Sequence, residues 1–171
     1  MDKTDQEPLQ VFRAYDVAVK QDAPLPARNP FPGVVVLIEE GGRVLLARRA
    51  EGRFRGGLWC LPGGFIEYGE DFLSAGLREV REETGLDVRI HSILSVVSNF
   101  LAPRLHTLVV VLLARLVSGS EAARPGDDVD ALAWHPLDQL PDMAFEADTH
   151  IIRRFHSTGL AGAPVDARFA G

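Results

Sequence analysis

Hydrophobic and polar positions along the chain change period in a regular order. Residues 34–39 (VVVLIE) are an almost unbroken apolar run, which reads as a buried central strand. Glu40-Gly41-Gly42 supplies a tight turn, and residues 43–49 form the return strand of a hairpin. Residues 59–61 are a short strand, and Pro62-Gly63-Gly64 turns the chain. From about 70 to 84 the period becomes helical: Leu73, Leu77, Val80 and Thr84 recur at i, i+4, i+7 and i+11, which makes one buried stripe. Gly85 follows, where a left-handed residue commonly ends a helix. Residues 88–99 and 105–117 are long strands rich in Val, Ile and Leu, joined by a turn around Pro103. A polar loop over 118–128 leads to a strand at 129–135 and a second helix at 145–156, with Ile151, Ile152 and Phe155 facing inward. Ahead of this pattern lie a polar tail (1–8), a candidate strand (9–19) and an extended proline-rich stretch (24–32). The order predicts an α/β fold, with a mixed sheet between helices on both faces.

Composition narrows the function classes. The 171 residues fit one domain, and 46% hydrophobic with 25% charged residues marks a chain that folds. The net charge is −6, and no basic cluster exceeds Arg48-Arg49 or Arg153-Arg154. The expected partner is therefore a small phosphorylated molecule and no nucleic acid. The apolar run 108–114 is too short to span a bilayer, and the first ten residues are polar, so neither membrane nor signal peptide is expected. The single cysteine, Cys60, excludes an intrachain disulfide and a cysteine-based structural zinc site. It reads as a small buried hydrophobe beside Trp59, and it fits a reducing, cytoplasmic setting.

The candidate chemistry is acidic. Glu79, Glu82 and Glu83 share one face of the first helix, at i, i+3 and i+4. Ala75 and Gly76 lie one turn earlier on that face, and their small size leaves room for something to approach. Crowded carboxylates repel, so something must offset them. Arg78 and Arg81 offer salt bridges, while Mg²⁺ or Mn²⁺ suits hard oxygen ligands. The spacing alone leaves both open.

The wider pattern is more specific. Gly64, Glu70, Arg78-Glu79-Val80, Glu82-Glu83 and Gly85-Leu86 together resemble the Nudix box with no position missing. The flanks 58–64 (LWCLPGG) and 133–137 (AWHPL) are similar to that family as well. The resemblance implies an α/β/α sandwich over residues 33–158, with tails at 1–32 and 159–171. It also implies metal-dependent hydrolysis of a nucleoside diphosphate linked to another group. By the same resemblance Glu79 and Glu83 hold the metal, Glu82 assists, and a backbone carbonyl at Gly64 completes the set. Glu70 is expected to pair with Arg78 and so orient the site. The general base is open between a glutamate of the box and a loop acid, with Glu121, Asp127, Asp128 and Glu146 as candidates.

The proline at Pro103 and the adjoining Arg104 resemble ADP-ribose pyrophosphatases of this superfamily, with Arg104 available for a phosphate or ribose. Arg55, in the loop before the box, is a further substrate-binding candidate. Two readings compete: a house-cleaning hydrolase of nucleoside triphosphates, and a non-catalytic nucleotide sensor of the same fold. Relatives that dimerise through the segment before the first core strand suggest a homodimer in which residues 9–32 complete the partner's pocket.

Overall fold

The computed structural model describes residues 30–102, 105–117, 123–126 and 128–163. Its elements are β1 (Phe31–Glu40), β2 (Arg43–Arg49), β3 (Trp59–Cys60), β4 (Gly63–Phe65), α1 (Phe72–Thr84), β5 (Val88–Ala102), β6 (Leu105–Leu116), β7 (Val129–Pro136) and α2 (Glu146–Thr158). The candidate strand at 9–19, most of the proline-rich lead-in, Pro103, Arg104, Glu121 and Asp127 lie outside the described residues.

The strands run in the order β3-β2-β1-β6-β5, with β4 added on β1 and β7 on β2. The β1 and β6 strands are parallel. The other paired strands are antiparallel. Because β1 is buried on both faces, it carries no polar alternation. Val34, Val36 and Ile38 point one way, into a core with Ala75 and Val80 of α1. Leu37 points the other way, packing with Val44, Leu46, Ile151 and Ile152 of the α2 side. The result is the expected α/β/α arrangement. Among the described residues, no helix is long and apolar enough to cross a membrane.

Local chemistry fixes the ends of α1. The Asp71 carboxylate accepts the N–H groups of Leu73 (2.8 Å) and Ser74 (3.1 Å), satisfying donors that the first turn leaves unpaired. Gly85 closes the helix at φ 69°, in the left-handed region.

Two expectations for this helix need correcting. Leu77 is 43% exposed, so it lies off the buried stripe. Ala75 and Gly76 are buried instead, and a Cβ on Gly76 would stand 2.9 Å from Leu112 Cδ1. What approaches these small residues is the sheet of the protein itself.

Pro62-Gly63-Gly64 also does more than turn the chain. Gly63 and Gly64 belong to β4, which pairs with Val34 and Val35. Gly63 adopts φ 150°, and a Cβ there would fall 2.2 Å from the Val34 carbonyl oxygen. Only glycine admits that approach.

Candidate active site

The acidic face of α1 opens onto a cleft of about 370 Å³. Its floor comes from β1 and β4, one wall from β5 and β6, and another side from Arg49, Arg53, Asp128, Phe145 and Asp148. Glu79, Glu82, Glu83 and Arg78 all line it.

Arg78 is the hub. Its Nε and Nη2 donate to the two Glu70 oxygens at 2.9 Å each. Its Nη1 donates to Glu79 (2.9 Å) and Glu82 (3.2 Å), and Nη2 also reaches the Phe65 carbonyl at 3.1 Å. The forked contact with Glu70 is bidentate and fixes the guanidinium plane. It holds the Glu70 carboxyl below its usual range, and it raises the Arg78 pKa further. The expected Glu70–Arg78 pair is therefore present as drawn from the pattern.

Glu83 stands apart from that hub. Its Oε2 accepts the Gly63 N–H at 2.9 Å. Burial, and then the negative charge of Glu79, push its pKa up to about 8. Burial also raises Glu79, against the opposing pull of Arg78. The Gly64 backbone lies directly under Glu79, since a Cβ on Gly64 would stand 2.5 Å from Glu79 Oε1.

Do these residues suit a metal ion? Among the described residues, no three His, Cys, Asp or Glu side chains converge as a finished cage. Arg78 draws Glu79 and Glu82 to itself, while the Gly63 N–H holds Glu83. The donor set nevertheless fits a hard divalent cation. It is all oxygen, and Glu79, Glu82 and Glu83 together with Glu70 carry more negative charge than Arg78 neutralises.

The other expected residues divide. Asp128 lines the cleft and pairs with Arg53. It is carried there by residues 123–126, which bond to the end of α1: Arg124 N–H to the Thr84 carbonyl (2.8 Å) and Gly126 N–H to the Glu83 carbonyl (3.0 Å). Glu146 is exposed on the first turn of α2 and is not among the cleft-lining residues. Arg55 also stays out of the lining. It donates to the Ala144 carbonyl, with its guanidinium 5.2 Å from the Phe54 ring centroid. Cys60 is buried as expected, and burial pushes its thiol pKa up.

Among the cleft residues that the sequence did not single out are Arg49, Phe145 and Asp148. The Arg49 guanidinium carbon lies 5.5 Å from the Phe145 ring centroid, and its Nε donates to the Phe54 carbonyl at 2.7 Å. Asp148 is 5% exposed, and its Oδ2 accepts the Leu61 N–H at 3.0 Å. Burial pushes its carboxyl up to about 7. A signal for it existed: Asp148 stands one turn before Ile151 and Ile152, on the apolar stripe of α2.

Comparison with known proteins agrees with this geometry. The NUDIX domain family model matches residues 29–155. An ADP-ribose pyrophosphatase of Methanocaldococcus jannaschii is 37% identical over 119 residues, covering 69% of each chain. The NAD-capped RNA hydrolase NudC of Pseudomonas aeruginosa is 36% identical over 112 residues, covering 66% of this chain and 38% of that one. A MutT NUDIX hydrolase structure from Burkholderia pseudomallei superposes with a TM-score of 0.66 at 32% identity, over 73% of this chain and 97% of that one. With the box residues on one helix face, the Glu70–Arg78 clamp behind them and the family match across most of its length, the chain belongs to the Nudix hydrolases.

Proposed function

We propose that this chain hydrolyses the pyrophosphate bond of ADP-ribose or a closely related nucleotide sugar, with Mg²⁺ or Mn²⁺ held by Glu79, Glu82, Glu83 and the Gly64 carbonyl. Nudix hydrolases generally use divalent metal ions and act on small nucleotides. The observation that carries the reading is the pair Glu79 and Glu83. Both sit in the cleft, both are desolvated, and Glu83 has no cation of its own within hydrogen-bonding reach among its described partners. The relative named as an ADP-ribose pyrophosphatase supports the substrate.

The reaction adds water across the P–O–P bridge. The water oxygen bonds to one phosphorus, the bridging oxygen leaves with the other phosphoryl group, and ADP-ribose yields AMP and ribose 5-phosphate. The metal, when bound, supplies neutralisation of phosphate charge and acidifies a water. The residues of the chain do the rest. Glu70 holds Arg78 flat, and Arg78 in turn sets the rotamers of Glu79 and Glu82. Arg49 and Arg53, lining the cleft opposite α1, balance phosphate charge from the other side. Asp128, which of the described loop-acid candidates lines the cleft, accepts the proton of the attacking water.

The test is a substrate panel with Mg²⁺, read by which nucleotide product appears. AMP from ADP-ribose, abolished by EDTA and restored by Mg²⁺ or Mn²⁺, is the expected result. Full activity in metal-free buffer would sink the metal reading. Pyrophosphate released from nucleoside triphosphates, with ADP-ribose untouched, would replace the substrate reading with the house-cleaning one.

A further inference from the structure

The geometry points to the Asn99–Thr107 rung, where β5 meets β6, as the nucleobase-reading end of the cleft. The inference rests on the nucleotide reading above and adds what recognises the base.

Antiparallel pairing sets Asn99 directly opposite Thr107, and Val97 opposite Val109. Alternation then puts Val97, Asn99 and Leu101 on the cleft face of β5. Val96 and Phe100, at the alternate positions, are 56% and 78% exposed on the opposite face. Thr107 and Val109 of β6 complete the wall.

This wall holds an unmet need. Thr107 is only 4% exposed, and its Oγ1 has no hydrogen-bond partner among the described residues. Buried hydroxyls are almost always satisfied, so an orphan on a cleft wall marks a place where a ligand supplies the partner. The Asn99 carboxamide beside it offers both a donor and an acceptor.

The surroundings choose the ligand chemistry. The cleft residues that β5 and β6 contribute carry no charge, and the neighbours of the polar pair are Val97, Leu101 and Val109. The charged lining residues lie on α1 and on the segments outside β5 and β6, such as Arg49, Arg53 and Asp128, where the phosphates belong. A sugar ring, with hydroxyls all round, would leave polar groups facing valine and leucine. A flat heteroaromatic ring with one hydrogen-bonding edge matches apolar walls and a single polar rung. Adenine presents a donor beside an acceptor on its 6-amino edge, the pattern that an asparagine side chain pairs with in bidentate fashion.

The experiment measures binding of AMP, of purine riboside 5′-monophosphate (which lacks the 6-amino group) and of ribose 5-phosphate, all with Mg²⁺, by calorimetry. The proteins are wild type, Asn99→Leu and Thr107→Val. Wild type should prefer AMP over purine riboside 5′-monophosphate by about tenfold, the scale of one lost buried hydrogen bond. Both variants should lose that preference, and ribose 5-phosphate should bind all three alike. Thr107→Val replaces an orphan hydroxyl with a methyl group, so its thermal midpoint should hold or rise. A preference unchanged in either variant, no preference in wild type, or an equal loss for ribose 5-phosphate overturns the assignment. The two readings fail differently. Absence of AMP release from ADP-ribose, with the binding pattern intact, defeats the proposed function alone. Normal turnover with unchanged base preference in the variants defeats the base-reading rung alone.

Discussion

Glu83 and Glu79 are carboxylates placed where carboxylates are costly, and this separates them from Glu70. Glu79→Gln and Glu83→Gln keep the side-chain volume and remove the charge that a divalent ion needs. Turnover with Mg²⁺ should fall on the order of 10³-fold or more, as for other centres that lose charge stabilisation. Folding should survive without metal, because each change relieves a buried or repelling charge. Glu70→Gln should cost less, since its bond is to Arg78 rather than to the reaction. Circular dichroism melts without metal, set beside turnover with Mg²⁺, decide the matter. Unfolded apo variants, or wild-type turnover, would show the acidic face to be structural. At this scale the sequence was informative wherever roles follow from spacing along one helix: the Arg78 hub and the glutamates around it were legible. Asp148 was not. Its significance comes from the Leu61 N–H that it accepts, which is distant in sequence. Its position on an apolar stripe hinted only that something polar was buried there.

Elements show a similar division. The hairpin of β1 and β2, the long pair β5 and β6, and both helices follow from hydrophobic period and turn residues, and their ends fall close to the expected positions. The β4 strand carries no such pattern, because Gly63 and Gly64 give it no side chains to read. Its existence depends on backbone approach to β1. Leu77 misled for a related reason: on α1 the sheet packs against the residue with the smallest side chain, Gly76, and apolar periodicity does not register a glycine. The consequence is testable with two glycines of positive φ. Gly69 (φ 84°) has open space where a Cβ would go, while Gly63 would meet fixed backbone of Val34 and Val35. Gly69→Ala should cost about 1–2 kcal/mol, the price of a left-handed conformation. Gly63→Ala should cost more than that, upwards of ~3 kcal/mol, because backbone atoms cannot rotate aside. Urea denaturation of both variants measures the difference, and equal losses would remove β4 packing as the reason for Gly63.

The whole molecule gathers its cleft from elements spread between β1 and α2, and this leaves two buried acids, Glu83 and Asp148, whose titration is tied to folding. The folded pKa of Glu83 is about 8 against an ordinary 4.5, and that of Asp148 is about 7 against 3.8. Both are raised, so the native state holds protons that the unfolded chain has released. Stability from these groups is fully present below the unfolded values and is lost as pH rises through the folded ones. Glu70 and Asp71 have lowered values and act in the opposite sense, protecting the fold above the ordinary carboxylate range and failing as pH falls into acid. Without metal, then, stability should decline from about pH 5 to about pH 8 and level off above that, where both acids have lost their protons in the folded state too. A divalent ion at the acidic face changes the sign for Glu83, because it binds the deprotonated form and must displace the proton. Below pH 8 metal binding should release protons, visible as a calorimetric heat that depends on the ionisation enthalpy of the buffer. Saturating Mg²⁺ should also flatten the decline in stability. Glu83→Gln should flatten it without any metal and leave only the smaller slope of Asp148. Urea midpoints at several pH values, in EDTA and in Mg²⁺, for wild type and Glu83→Gln, carry the test. Apo stability that is constant or rising between about pH 5 and 8, or a variant with the wild-type slope, would show that Glu83 does not hold its proton in the folded protein.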